Sequence, residues 1–491
     1  MSPAPSAPRL ALLEGELLAR LGPGRVLTDP AELRTYECDG LAAYRAVPGL
    51  VVLCESAEEI SLVVRCCHDH RVPFVARGSG TGLSGGALPR TDGVLVVTSR
   101  MSAVLEIDVE NERAVVEPGV ANLAVSRAAS AHGLHYAPDP SSQQVCSIGG
   151  NVAENSGGAH CLKYGFTVHH VTGLEIVLPD GTLVDLGGKS EDPPGYDLVG
   201  AFVGSEGTLG IATRVTVRLL RDAEAVETLL AAFPTMEEAS AAVSDIVASG
   251  CVPAAIEMMD ALAVEAAEAA VHSGYPAGAG AVLIVEIDGP RAEVEVTFEA
   301  VSALCGRNGA FEIRVAADEA ERAAIWKGRK SAFAAVGRIS PDYIVQDGVV
   351  PRSVLGEVLH EIGELAGAAG LRVANVFHAG DGNLHPLVLF DEAQGESDRA
   401  EDLSGRILEV CLAYGGSITG EHGVGHDKKH HMVRMFTESD LYVMQALRCA
   451  FDPAGLCNPG KIFPTPRLCG EVPGRHKGVH PAQEAGVGEI F

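Results

Sequence analysis

Apolar positions change rhythm near residue 221. From residue 48 to about 220, short Val/Ile/Leu runs are cut by Gly, Pro and Asp, the texture of strands and turns. This predicts strands over 72–76, 94–99, 105–109 and 114–116, the last two joined around Asn111. The runs 174–178 and 182–186 flank Pro179-Asp180-Gly181, a strong hairpin signal. Past residue 221 the stretches become Ala- and Glu-rich. Residues 235–249 and 261–273 read as helices, alternating with isolated strands such as 281–287. Residues 1–45 read as a polar helical lead-in, in which Glu14 and Glu16 break the apolar positions of an amphipathic surface helix. Pro453, Pro459, Pro464 and Pro466 exclude a helix over 451–466, which is expected to fold back over the first domain.

The expectation is therefore an α+β protein. It has a lead-in over 1–45, a first domain over 46–221, a second α+β domain over 222–430, a returning segment over 431–466 and a loose tail over 467–491. No internal repeat is visible.

Charge narrows the partners. The balance is 37 basic against 65 acidic residues, a formal −28 with no long run of one sign. Phosphate backbones demand clustered Lys and Arg, so a nucleic-acid partner is excluded. An anionic substrate needs a local cationic site, working against that field. No apolar run reaches the ~18 residues of a membrane span. Nor does the start carry a targeting signal, so the expected compartment is the cytoplasm. The twelve cysteines contain no C-x-x-C pair and no four-cysteine cluster spacing. They are expected to be reduced and mostly buried, and electrons taken up must leave to an external acceptor.

The densest chemical signal is Arg77-Gly78-Ser79-Gly80-Thr81-Gly82-Leu83-Ser84-Gly85-Gly86, directly after a predicted strand. Five glycines there leave main-chain amides bare, so several donors can converge on phosphate oxygens. The alternative is a merely flexible loop. Gly80, Gly82 and Gly85 also spell G-x-G-x-x-G, but a nicotinamide fold needs a helix starting at the loop. Here Pro89 and Gly93 intervene and the next strand follows at once, so that reading fails on context. A Walker loop fails too, because Leu183 stands where Gly188-Lys189-Ser190 would require glycine. Two further glycine-rich stretches, 147–158 and 204–210, indicate a long ligand lying along the backbone, which suits FAD better than a mononucleotide.

A second constellation lies in the later domain. Residues 373–377 and 384–390 read as strands, with His378 and His385 flanking the tight connection between them. Cross-strand neighbours there would put both imidazoles on one side. Gly420-Glu421-His422-Gly423 adds a carboxylate beside another imidazole. Two imidazoles and a carboxylate suit a divalent ion such as zinc or manganese. On spacing alone a structural role is the stronger reading. His426, His430 and His431 are assigned to surface structure, because Gly423 and Gly425 weaken a helix through them.

Taken together, PFVARGSGTGLSGGALP, SIGGNVAENSGGAHCLKYG, GSEGTLGIAT, HAGDGNLHPL, GEHGVG and NPGKIFP resemble the FAD-linked oxidases of the vanillyl-alcohol-oxidase (PCMH) type. The nearest likeness is to the group holding glycolate oxidase catalytic subunits and the D-lactate and D-2-hydroxyglutarate dehydrogenases. It runs from about residue 40 to 466.

The resemblance implies a two-part FAD-binding domain over 46–221 and a substrate or cap domain over 222–430. Arg77, Gly78, Ser79, Gly80, Thr81, Gly82, Leu83 and Ser84 would meet the pyrophosphate. Ser142, Gly149, Gly150, Asn151, Glu154 and Gly158 would lie beside the flavin, Ile211 near the adenine, and Asn458 would reach the cofactor from the returning segment. Ser79 follows Gly78 where a covalent histidine is usual, so the FAD is expected to be non-covalent. By the same likeness His378, His385 and Glu421 become metal ligands, and Arg329 the substrate-carboxylate arginine.

His422 is the expected general base, since imidazole titrates near working pH. Lys330 reads as a solvated helix charge and Trp326 as core. Phe333 and Val345 stand where relatives acting on a longer dicarboxylate carry polar contacts, and Leu387 follows His385 by two; with such apolar walls a short 2-hydroxy acid is expected. The leading expectation is a glycolate-to-glyoxylate subunit passing electrons to an external acceptor. That acceptor could be an iron–sulfur subunit, alongside a second FAD-binding subunit, with peripheral placement at the inner membrane through such partners. The alternatives are a D-lactate dehydrogenase of the same build and a non-catalytic FAD-binding scaffold.

Overall fold

The apolar runs of the chain become strands buried on one or both faces. A computed structural model describes residues 6–190 and 195–464; the tail expected over 467–491 lies outside the described residues. The chain divides into two compact units. One comprises Met1–Ser156, Phe166–Arg221 and Glu421–Phe491, and the other Gly157–Gly165 and Asp222–Gly420.

Among the described residues the first unit holds a two-stranded antiparallel pair, Leu134–His135 with Leu220–Arg221, and two main sheets. The smaller has four strands in the order Val26–Leu27, Leu50–Leu53, Val94–Val97, Phe74–Arg77, the last three mutually parallel. Helix Ala57–His70 joins Leu50–Leu53 to Phe74–Arg77, capped by the Ser56 side chain at one end and by Arg71 in the left-handed region at the other. The first helix, Ser6–Leu21, packs on it with Leu13 and Leu17 fully buried. No helix connects Phe74–Arg77 to Val94–Val97, which is why the G-x-G-x-x-G match is not a nicotinamide motif here.

The larger sheet of this unit is antiparallel, in the order Val104–Asp108, Arg113–Val116, Ile211–Arg218, Val171–Val177, Leu183–Gly187. Its last two strands form the hairpin at Pro179-Asp180-Gly181, where Gly181 adopts φ +87°. Residues 452–464 contain no helix. They return beside Phe74, whose amide donates to Leu456 O (2.9 Å) and whose carbonyl accepts from Asn458 N (2.8 Å).

The second unit is built on a nine-stranded sheet whose pairings are all antiparallel. Helices cover both faces. Leu229, Ala231 and Phe233 pack with Met236–Ala248, Leu355–Ala369 and Ser397–Ala413, whereas Leu230 and Ala232 pack with Ala261–Val271 and Glu319–Val336. A strand buried on both sides has no polar face, so Ala281–Gly289 opens on the continuous apolar run 281–285, and Glu286 interrupts it.

Ten of the described cysteines are free thiols, eight of them buried. Cys449 departs from the expectation of reduced thiols, being disulfide-bonded. Among the described residues no helix is long and apolar enough to cross a membrane.

Candidate functional site

Strand Phe74–Arg77 delivers the chain into the glycine loop of the first unit. Arg77 is anchored, its Nη1 donating to Cys38 O (2.6 Å) with the guanidinium over the Tyr36 ring. Gly80 and Gly85 take φ +71° and +74°, a region that disfavours any side chain. At Gly78 a Cβ would fall 2.1 Å from Ser147 Oγ, and at Gly149 one would fall 2.7 Å from Pro118 Cβ. At these two positions the glycine stretches pack against neighbours with no room for a methyl group. Ser147 caps the short helix Ile148–Glu154, and Asn151 Oδ1 accepts from Asn122 Nδ2 (3.0 Å).

Beneath the loop sits a buried polar cage. Glu206 is buried and Glu154 half-buried with its Oε2 inside; desolvation pushes both carboxyls above their usual range, and the Glu206 charge pushes Glu154 further. Two amides partly offset this for Glu206, those of Val424 (2.7 Å) and Gly425 (2.6 Å). Asn458 Nδ2 donates to Gly86 O and Glu206 O, and Lys461 Nζ to Gly86 O, Leu88 O and Asn458 Oδ1. Desolvation brings the Lys461 ammonium down to about 8.

Bare amides, a partly buried arginine and the wholly buried Ser84, whose Oγ has no hydrogen-bond partner among the described residues, fit a bound diphosphate. Ser142 sits half-exposed with its carbonyl accepting from Val145 and Cys146. Ile211 is a core residue packed in the smaller-sheet cluster. Gly158 falls in the second unit's Gly157–Gly165 segment rather than with the other glycines.

In the second unit, strand Arg372–His378 ends on the first histidine. His378 is opposite Asn383 in register, and its ring centroid lies 5.1 Å from that of His385, edge to face. Both are buried. Behind each stands a carboxylate that the sequence reading passed over. Glu257 Oε1 meets His378 Nδ1 at 2.7 Å, and Asp347 Oδ1 lies 3.4 Å from His385 Nε2. Asp347 Oδ2 also accepts from Thr419 Oγ1 (2.6 Å) and Gly420 N (3.0 Å), fixing the residues that precede Glu421 in sequence.

Arg329, on helix Glu319–Val336, is 2% exposed. Its Nη2 is 2.6 Å from Glu257 Oε2, an ion-pair contact without an aligned hydrogen bond, and its Nε has no acceptor among the described residues. Such a buried donor is what an incoming carboxylate would satisfy. Phe333, one turn along, lies 5.7 Å from the guanidinium and 5.7 Å from the His385 ring. Val345 pairs with the fully buried Leu387.

Trp326 is structural. Its indole donates to Glu286, which also accepts from Thr228, His160 and Arg322. Desolvation raises the Glu286 carboxyl, but the bonds from His160 and Arg322 outweigh it and hold it well below the usual range. Lys330 is exposed.

Glu421 and His422 are half-buried and belong to the first unit. Gly423, at φ +87°, follows them against Glu154 and Glu206, where a Cβ would meet carboxylate oxygens at 2.2 and 3.0 Å. The surface assignment of the later histidines holds for His430 alone. His426 packs edge-on to Tyr44 at 5.0 Å, and His431 is half-buried.

Residues 48–187 match the model of an FAD binding domain, and residues 222–462 that of the C-terminal domain of FAD linked oxidases. The glycolate oxidase subunit GlcD of Escherichia coli K12 is 51% identical over 92% of this chain and 91% of its own length. The chain belongs to the FAD-linked oxidases. Within the family, GlcD of Bacillus subtilis 168 is 40% identical over 91% of this chain and 96% of its own length. A D-lactate dehydrogenase of Archaeoglobus fulgidus is 33% identical over 87% and 95%. Among solved structures, p-cresol methylhydroxylase superposes with a TM-score of 0.78 at 16% identity, covering 93% of this chain and 97% of that one. The 4-ethylphenol oxidase of Gulosibacter chungangensis gives 0.77 at 18%, covering 94% and 98%. These two likenesses establish the PCMH-type fold.

Proposed function

We propose that this FAD-linked oxidase is the catalytic subunit of a glycolate oxidase, converting glycolate to glyoxylate and passing two electrons to an external acceptor. The observation that carries the reading is the buried trio of the second unit: two imidazoles set edge to face, with a guanidinium whose Nε has no acceptor among the described residues. The likeness to GlcD at 51% identity supports the substrate.

In this reading His378, His385 and Glu421 hold a divalent ion, and the loop over 77–84 with Asn151, Glu154 and Asn458 holds FAD non-covalently. When bound, FAD supplies the two-electron acceptor and the ion a Lewis acid for the substrate oxygens. Arg329 binds the substrate carboxylate and orients the molecule. Glycolate loses one proton from its hydroxyl and one hydride from its α-carbon. His422 takes the proton, and its neighbour Glu421 fixes its approach. Phe333 and Leu387 present apolar surface, which leaves a second carboxylate without a partner. Assembly with further subunits belongs to the same reading, because the two glycolate oxidase relatives are named as subunits; an iron–sulfur subunit and a second FAD-binding subunit would complete the electron path.

The test is anaerobic mixing of metal-loaded protein with glycolate, D-lactate and D-2-hydroxyglutarate while following flavin absorbance. Glycolate is expected to bleach the flavin fastest, and His422→Ala to abolish bleaching. Preference for the dicarboxylate, or none with any of the three, overturns the reading.

A further inference from the structure

Glu257 sits at the middle of strand Ala255–Asp260 and is wholly buried. It is directly opposite His378 in an antiparallel pair, so both side chains leave the sheet on the same face. Helix Glu319–Val336 packs on that face and lowers Arg329 onto the same carboxylate. One oxygen therefore meets an imidazole and the other a guanidinium.

We propose that Glu257 is the positioning residue that sets the proposed metal ligand and the proposed substrate arginine together. The inference rests on the functional reading above and adds a coupling to it.

A carboxylate only accepts, so His378 must carry its proton on Nδ1, which puts the basic lone pair on Nε2. The same contact fixes the ring's rotation and raises its basicity as a ligand. On the other side, Glu257 engages Nη2 of Arg329 and leaves the Nε edge for the substrate anion. Because both contacts end on one rigid group in a central strand, ion and anion sites share a common reference point. Two separate anchors would let them drift independently.

Glu257→Gln keeps the shape but loses the charge, and its amide can accept from only one of the two donors. On full-length, FAD-loaded protein, Mn2+ or Zn2+ affinity would be measured by chelator competition, alongside KM for glycolate. Metal affinity is expected to fall about 10- to 100-fold, and KM to rise about tenfold, with flavin content unchanged. Arg329→Lys should raise KM while leaving metal affinity within about threefold, since it touches only one side of the pair. A Glu257→Gln protein whose metal affinity stays within about threefold of the parent overturns the proposal.

If that variant does not accumulate, Glu257→Asp takes its place: it keeps the charge but is too short to span both partners. Weakening of both metal and glycolate binding supports the proposal, and weakening of neither, or of KM alone, overturns it. Failure of the underlying reading looks different, because the unsubstituted protein would then bind no ion that His378→Ala loses.

Discussion

Glu206 holds Gly425 by its amide: Oε2 accepts from that nitrogen at 2.6 Å, while Oε1 takes the amide of Val424 at 2.7 Å. The bond spans 219 residues of sequence and fixes the loop just after Glu421 and His422. Glu206 also sits at φ +51°, a conformation that costs a non-glycine residue about 1 kcal/mol. Glu206→Gln replaces one acceptor by an NH2 group facing a main-chain N–H, leaving a buried donor unsatisfied at about 1–3 kcal/mol. The expected outcome is a lower melting temperature, and flavin reduction by glycolate slowed about tenfold because the base loses its fixed approach. Reduction at the parent rate would show that the loop is held by something else.

Gly78→Ala tests the cradle. Its methyl would fall 2.1 Å from Ser147 Oγ, so the loop or the capping serine must move. The expected product is folded but colourless protein, with FAD affinity reduced about 100-fold or more, read by the flavin-to-protein absorbance ratio. Gly188→Ala is the control: it lies in the same unit and meets nothing within 4 Å. Equal flavin content in both variants would show that the loop is not the diphosphate site.

How much of this was legible along the chain follows from where each signal lives. The glycine loop could be read because main-chain exposure is encoded locally, and the absence of a following helix is local too. His378 and His385 could be read because a short connection brings them together. Glu257 could not: it is one acid inside the strand Ala-Ile-Glu-Met-Met-Asp, and its partner lies 121 residues on. Glu206 was visible only as a spacer between glycines, since its acceptor role depends on a loop 218 residues away. Nothing along the chain near His426 announces its contact with Tyr44, because the two meet only in the fold.

In the proposed function Phe333 is the residue that would set substrate size. Its ring lies 5.7 Å from the Arg329 guanidinium and 5.7 Å from the His385 imidazole, close to both groups expected to hold the substrate. Phe333→Ala removes that wall, and one methyl group is worth about 10- to 200-fold in discrimination. The ratio of kcat/KM for D-lactate over glycolate is expected to rise by about tenfold or more. D-2-hydroxyglutarate should remain poor, because no cation is added for its second carboxylate. An unchanged ratio would remove Phe333 from the pocket.

Asp260 gives the second unit a pH dependence with a defined sign. It caps helix Ala261–Val271 through Ala263 N (2.8 Å) and accepts from both nitrogens of Asn375 (2.7 and 2.9 Å). Burial nevertheless pushes its carboxyl up to about 6, from 3.8, against the pull of those bonds. The folded chain thus keeps this proton to higher pH than the unfolded chain does. Between about pH 4 and 6 the folded state binds more protons, so stability falls as pH rises through that window and levels off above it. At about 1.4 kcal/mol per pH unit, the whole effect is about 3 kcal/mol. Asp260→Asn cannot titrate, so urea unfolding from pH 4 to 7 should show a shallower decline by that amount. The substitution also turns an amide toward Asn375, a loss independent of pH that lowers the whole profile and adds nothing to its slope. Parallel pH profiles for the two proteins would show that Asp260 ionises as readily in the fold as out of it.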